Sequence, residues 1–463
     1  MAGFSPWASS GLLGGAGRRV AVAAGASAAL WLAVLWASMG TPPIPAPPIP
    51  APALATQPDA EPAKPAAPPL RLVAAGGMPA PGGGSFNRFG VEMKTIAAPV
   101  NARGDVAFFA KLMRASAEEG LFLWHDGRAS LIAAIGGSVP GGGTVAGFTE
   151  RPTPSLNANG KVAFAATVEG GRAGDAILAW SGGKLAAIAQ SGARATGVPG
   201  AAFFDFAPPA LNDLGDTAFL ATLRRGRETL DGIYLSAKGQ LAKVVAAGDP
   251  APGGGSFAAL AAPVLNAAGT VAFAAVVEGG PTPGGVFTAE GTALRQVVGA
   301  GNAAPGGGVF ARISEHVGID DAGRVAFGAF LSQGGGQGAR RGGVFLSADG
   351  AIAPVALLGD PAPGGGTFAA FGDAPSLASD GSLAFIAAID GGPGTTGVYA
   401  TGPDGLKRVA GPGDMMADGQ RIGDFPLNAS VAAGPRGGLT FQSTLRIGDE
   451  PAEALVLSAP GGR

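Results

Sequence analysis

The chain has 463 residues, a net charge of −2, no cysteine and two histidines, His125 and His316. That composition excludes disulfide staples and cysteine zinc sites, and it leaves little for a histidine metal cluster. It also lacks the cationic blocks that counterion-release binding to nucleic acid requires.

Residues 1–19 form a short N-region ending in Arg18-Arg19. Residues 20–39 follow without a charge, VAVAAGASAALWLAVLWASM. Twenty apolar residues match a hydrocarbon core about 30 Å thick. The positive-inside rule puts the arginines in the cytoplasm and the rest of the chain outside. The segment reads as an uncleaved membrane anchor, with a cleaved signal peptide as the alternative at Ser38-Met39-Gly40. Residues 40–69 are proline-rich, which favours an extended polyproline II spacer over a packed core.

The remainder, residues 70–459, is repetitive, and residues 460–463 are a tail. The phrase Asn-x-x-Gly-x-x-Ala-Phe stands intact at 101–108, 157–164, 212–219 and 266–273. Altered copies stand at 320–327 and 378–385, and a worn copy ends at Phe441. The seven phenylalanines, 108, 164, 219, 273, 327, 385 and 441, recur every 54–58 residues.

Each repeat holds four short apolar runs, read as strands A to D. Strand A precedes the asparagine, as in Pro208–Leu211. The Asn-x-x-Gly is the A–B turn, since asparagine bonds nearby backbone and glycine supplies a positive φ. Strand B surrounds the phenylalanine. Val162, Phe164, Ala166 and Val168 share one of its faces and Ala163, Ala165 and Thr167 the other. Neither face is charged, as expected of a sheet buried on both sides. Strand C resembles Gly232–Ser236, and strand D resembles Lys243–Ala247. A loop such as Gly248–Phe257 then crosses to the next repeat.

The ends fix the topology. The array opens on a strand D, Arg71–Ala75, and closes on a strand C, Glu453–Ser458. A ring explains this split, because the first strand completes the last blade. The expected fold is all-β, a seven-bladed propeller of four-stranded blades, preceded by the transmembrane or signal helix. A β-helix with two coils per repeat is the alternative.

On that phrase, residues 70–459 resemble the choice-of-anchor tandem-repeat proteins of bacteria, named for their NxxGxxAF motif. The resemblance implies surface-directed, repetitive proteins with varied anchors and no assigned activity, and it carries over no catalytic residue.

The Gly-rich loops lack the Lys-Ser/Thr and the helix of a phosphate-binding loop and read as turns. Asp249, Asp360, Asp414 and Asn302 share one position at the end of strand D. They read as Asx-type turns, with calcium as the alternative. Charges that break the repeat consensus cluster before or within strand A: Glu92, Lys94, Glu150, Arg151, Asp205, Glu315, His316 and Asp373. These are the candidate ligand-binding residues at the channel rim. The B–C loops are expected on the same rim, with Arg224, Arg225, Arg227, Glu228, Arg340 and Arg341. His125 is expected on the opposite rim as a surface residue.

No nucleophile–base pair, catalytic motif, metal cluster or cofactor motif is readable. The expectation is therefore a non-catalytic binding or scaffold module of the cell envelope with a protein or glycan partner. It is placed in the periplasm or on the cell surface, and its membrane contact is through residues 20–39 alone. The alternative is a propeller hydrolase or lyase acting on a glycan or small ester in the channel.

Overall fold

The computed structural model describes residues 70–91, 94–95, 97–148, 153–171, 174–305, 307–332, 341–372, 374–392, 394–447 and 450–460. The expected anchor and spacer lie outside the described residues. Among those described, no helix is long and apolar enough to cross a membrane.

Seven sheets, each with four strands in the order A-B-C-D, form the blades of a β-propeller. Blade 3 is representative. Ala202–Phe206 and Ala210–Leu211 form strand A, Thr217–Arg225 strand B, Glu228–Ala237 strand C and Gln240–Ala246 strand D. All four run antiparallel. The alternative β-helix would need parallel ladders between coils, and every ladder among the described residues is antiparallel. The short A segments of successive blades touch one another around the ring, so strand A is innermost.

The ring closes as the chain ends require. Leu70–Ala75 is the outer strand of blade 7 and pairs with Glu450–Ser458, with Leu70 opposite Ser458 and Leu72 opposite Val456. Its new neighbours satisfy the edge that strand C would otherwise expose.

Strand B explains the packing between blades. Val162, Phe164, Ala166 and Val168 pack against Ala107, Phe109, Leu121 and Leu123 of blade 1. Ala165, on the other face, joins Phe203, Phe219 and Tyr234 of blade 3. Each core between blades thus joins one face of a strand B to the opposite face of the blade before it.

The aromatic residues form a repeated triad. The signature phenylalanine lies opposite an aromatic of strand C: Phe108 with Phe122, Phe219 with Tyr234, Phe273 with Phe287, Phe327 with Phe345 and Phe385 with Tyr399. These pairs stack at 5.5–6.0 Å between centroids. The third ring, such as Phe257, meets the strand C ring edge-on at 5.0 Å. Edge-to-face and offset stacking are the favoured arrangements of aromatic quadrupoles.

Two sequence expectations about strand A need correction. Phe257 does not end a loop; it lies in Ser256–Leu260, the first half of strand A. Strand A is therefore longer than expected, and it is interrupted before its second half, Val264–Leu265. The crossing loop is also not open. Gly248 N–H donates to the Phe257 carbonyl, Phe257 N–H to that of Asp249, and Pro250 bridges to Ser256.

The signature asparagine does more than close its own turn. Asn157 Oδ1 accepts from Asn159 and Lys161 N–H. Its amide donates to the Asn212 carbonyl in the next blade. The same stitch runs from Asn101 to Asn157, from Asn212 to Asn266 and from Asn266 to Asp320. Four blade junctions are joined this way, each through a buried asparagine.

Candidate functional site

The D–A and B–C loops share one rim, as the strand order requires. A Cβ on Gly255 of a D–A loop would come within 2.6 Å of Gly280 N in the B–C loop of the same blade. Gly255 also has φ +79°, so glycine is required twice over at this contact.

The carboxylates at the end of strand D serve this rim's geometry. Asp249 Oδ2 accepts from Ala246 N–H at 2.8 Å and pairs with Lys243. Asp360 accepts from Leu357 N–H, and Asp414 from Gly411 N–H and Arg408. Asn302 accepts from Gly299 N–H. The bond runs back three residues to the end of strand D, where the expected Asx turn would run forward. Among the described residues, no three His, Cys, Asp or Glu side chains converge on a common point where a metal ion fits.

The interruption of strand A is where the blades differ. It spans Ala207-Pro208-Pro209 in blade 3 and Ala261-Ala262-Pro263 in blade 4. In blade 5 the strand is continuous over Val309–Ile319, but its pairing skips from Ile313 to Val317. The skipped stretch carries Glu315 and His316, both exposed. His316 N–H donates to Ser314 Oγ. In blade 1, Gly90–Val91 and Lys94–Thr95 pair as a small hairpin at the corresponding place.

Of the sequence-predicted rim residues, Glu315 and His316 thus fall on the interruption. Lys94 lies in the blade 1 hairpin. Glu92, Glu150, Arg151 and Asp373 lie outside the described residues. Asp205 sits elsewhere, in the first half of blade 3 strand A opposite Thr222, and its Oδ1 accepts from Phe206 N–H. In the B–C loops, Arg225 pairs with Glu228 at 3.2 Å. Arg224 stands 3.5 Å from the centroid of the Phe204 ring, a cation–π contact. Arg340 is outside the described residues, and Arg341 opens strand C of blade 5.

Sequence reasoning missed Asp175, at the start of strand C in blade 2. Burial raises its pKa to about 6; a hydrogen bond from Thr167 opposes the rise, and the charge of Asp205 adds to it. In the next blade the equivalent residue, Asp231, accepts from Leu260 N–H. The corresponding donor for Asp175 is Phe206 N–H, which Asp205 takes instead. An aspartate at that spacing looked like any rim charge, so no sequence signal marked it.

His125, expected to be a plain surface residue, is exposed but hydrogen-bonds through Nδ1 to the buried Asp105. Burial pushes the Asp105 pKa up. Hydrogen bonds from His125, Asn101 and Arg103, with the Arg103 charge, outweigh it and hold the carboxyl below its ordinary value.

Comparisons with known proteins give the fold distant company. The Pyrococcus horikoshii acylaminoacyl peptidase is 8% identical, over 78% of this chain and 52% of its own, with a TM-score of 0.44. A Mycobacterium tuberculosis puromycin-hydrolyzing peptidase is 12% identical, over 79% and 52%, with a TM-score of 0.43. The Trypanosoma rangeli sialidase is 10% identical, over 84% and 58%, with a TM-score of 0.34. The chain thus spans about half the length of these peptidases, and the likenesses are too distant to transfer an activity. No curated protein matches the sequence. One family model matches twice in succession, over residues 64–250 and 226–454, and the chain therefore belongs to the family of unknown function DUF7453.

Proposed function

We propose that this chain is a non-catalytic binding module outside the cytoplasm, tethered by residues 20–39. In this reading it offers the channel wall at the break in strand A to a protein or glycan of the cell envelope. The resemblance to choice-of-anchor repeat proteins supports the export half of the proposal. The observation that carries the binding half is Glu315 and His316, exposed at the unpaired stretch of the innermost strand. Blades 3 and 4 have only alanine and proline at that place. Repeat proteins tolerate variation where it does not touch the shared core, and a charged break in the inner strand is such a place. The test is capture from envelope extract and a glycan array with the full chain and the double variant E315A/H316A. Loss of the captured partner in the variant supports the proposal. Equal capture removes this break in strand A as the site.

A second reading, a hydrolase acting on a glycan or ester, is favoured by Asp175 and Asp205. A carboxyl with a pKa near 6 beside a second carboxylate has the protonation pattern of acid–base catalysis. Turnover of a glycan or ester that disappears in D175N would support it. No turnover in a broad screen would reject it.

A further inference from the structure

On the opposite rim, where the A–B and C–D turns lie, a cavity of about 450 Å³ opens between blades 6 and 7. Its volume falls within the range of small-molecule sites, roughly 300–1,000 Å³.

Each of the first five junctions is bridged at these turns by the signature asparagine or by a long cation, and this one by neither. In blade 2, Lys161 stands four residues after the signature asparagine and donates to the Gly215 carbonyl in the turn of blade 3 at 2.8 Å. In blade 5, Arg324 holds the same position, and its guanidinium lies against Gly381 of blade 6. In blade 6 the position is Ser382, too short to reach Gly437 of blade 7, and both residues line the cavity. The asparagine stitch is also missing here, because Ala378 stands in its place.

The lining is cationic. Lys407 and Arg436 both border the cavity, and neither has a salt-bridge partner among the described residues. Arg408 borders it too but is paired with Asp414 at 2.7 Å. The single lining carboxylate, Asp380, is already engaged: it accepts from Ser382 N–H at 2.9 Å and from Arg436 N–H at 2.5 Å. Thr401 Oγ1 accepts from Leu383 N–H, which leaves its own proton to point elsewhere.

We propose that this cavity binds a small organic anion headed by a carboxylate or a phosphate, held between Lys407 and Arg436. A guanidinium and an ammonium bordering one cavity suit an oxyanion, the first by its planar fork and the second as a point charge.

The test is calorimetric titration of the full chain at low ionic strength with inorganic phosphate and, separately, with glucuronate. The two probes distinguish the head groups. Saturable one-site binding of at least one probe is expected. It should weaken at least tenfold in K407Q/R436Q. It should weaken likewise in S382L, whose neutral side chain occupies part of the cavity without adding charge. K184Q, an exposed lysine of blade 2 on the same rim, should bind as wild type. No saturable binding of either probe, or wild-type affinity in both cavity variants, would overturn the proposal. All substituted lysines and Arg436 are exposed, so these variants should fold, and thermal unfolding checks it.

Discussion

The side-chain amide of Asn157 donates to the main-chain carbonyl of Asn212, one blade further on, at 3.2 Å. The signature asparagine is therefore both a turn former and a link between blades. Its oxygen serves its own turn and its nitrogen serves the neighbour. Asn157→Ala should leave the half-buried Lys161 N–H without its acceptor, while the Asn212 carbonyl loses one of two donors and keeps Gly215 N–H. The expected loss is about 1–3 kcal/mol, the cost of one orphaned group. Urea unfolding measures it. A loss within a few tenths would mean that water replaces the amide.

Blade 5 solves the same problem with a different residue. The Asp320 side chain has no N–H to donate, and its fully buried carboxylate pairs instead with Arg324 at 2.5 Å. Arg324→Ala should strand a buried charge, and removing one partner of such a pair costs about 3–5 kcal/mol. The double variant Asp320→Asn/Arg324→Ala should recover much of that loss by restoring an amide. Thermal unfolding of both variants decides between pairing and mere packing.

The aromatic triads make a prediction with an internal control. Phe273 is fully buried between Phe257 and Phe287. Phe273→Ala should cost about 3–5 kcal/mol. Phe330 on the next blade, 43% exposed, should cost only about 1–1.5 kcal/mol when truncated, because part of its ring already faces solvent. Similar losses at both positions would contradict the assignment of faces.

Asp175 sets a pH dependence. Its pKa in the fold is about 6, above the ordinary 3.8, so the folded state binds more protons than the unfolded one between those values. Its contribution to stability is therefore highest below pH 3.8 and declines as pH rises toward 6. Asp175→Asn should flatten that decline and raise stability at pH 7. The gain should be about 1–2 kcal/mol, below the roughly 3 kcal/mol of a full two-unit shift because solvent screens part of it. Denaturant midpoints at pH 4 and pH 7 test it; a variant as pH-dependent as wild type would place the perturbed group elsewhere.

The blade count, the strand order, the two faces of strand B and the split blade were legible because each leaves a periodic trace. Phenylalanine every 54–58 residues counts the blades, and a strand D without a strand A before it betrays closure. The break in strand A was not legible, because Ala-Pro-Pro, Ala-Ala-Pro and Ser-Glu-His share no pattern. The donor role of the asparagine amide was hidden because its acceptor lies about 55 residues away. The Asp175–Asp205 relation and the bond from His125 to Asp105 depend on how neighbouring strands and blades meet, which one repeat's sequence does not encode.

Removing the first strand should expose that dependence. Deleting Arg71–Ala75 takes away the partner of Glu450–Ser458 and uncovers the buried Leu455 and Leu457. The melting temperature should fall by a few degrees, since each kcal/mol moves it by about 2–4 °C in a domain of about 150–250 residues and by less in one this large. An unchanged melting temperature would mean that blade 7 stands without its outer strand.

The most direct measurement uses the absence of cysteine in the chain. Leu72 and Val456 are paired residues on the two strands that close the ring. Opposed residues of antiparallel strands have Cα atoms about 4.5–5.5 Å apart, within reach of a disulfide. Leu72→Cys with Val456→Cys should oxidise to a single intramolecular bond, and the reduced form should unfold at lower denaturant than the oxidised one. Failure to form that bond in the folded chain would contradict a ring joined by its two ends.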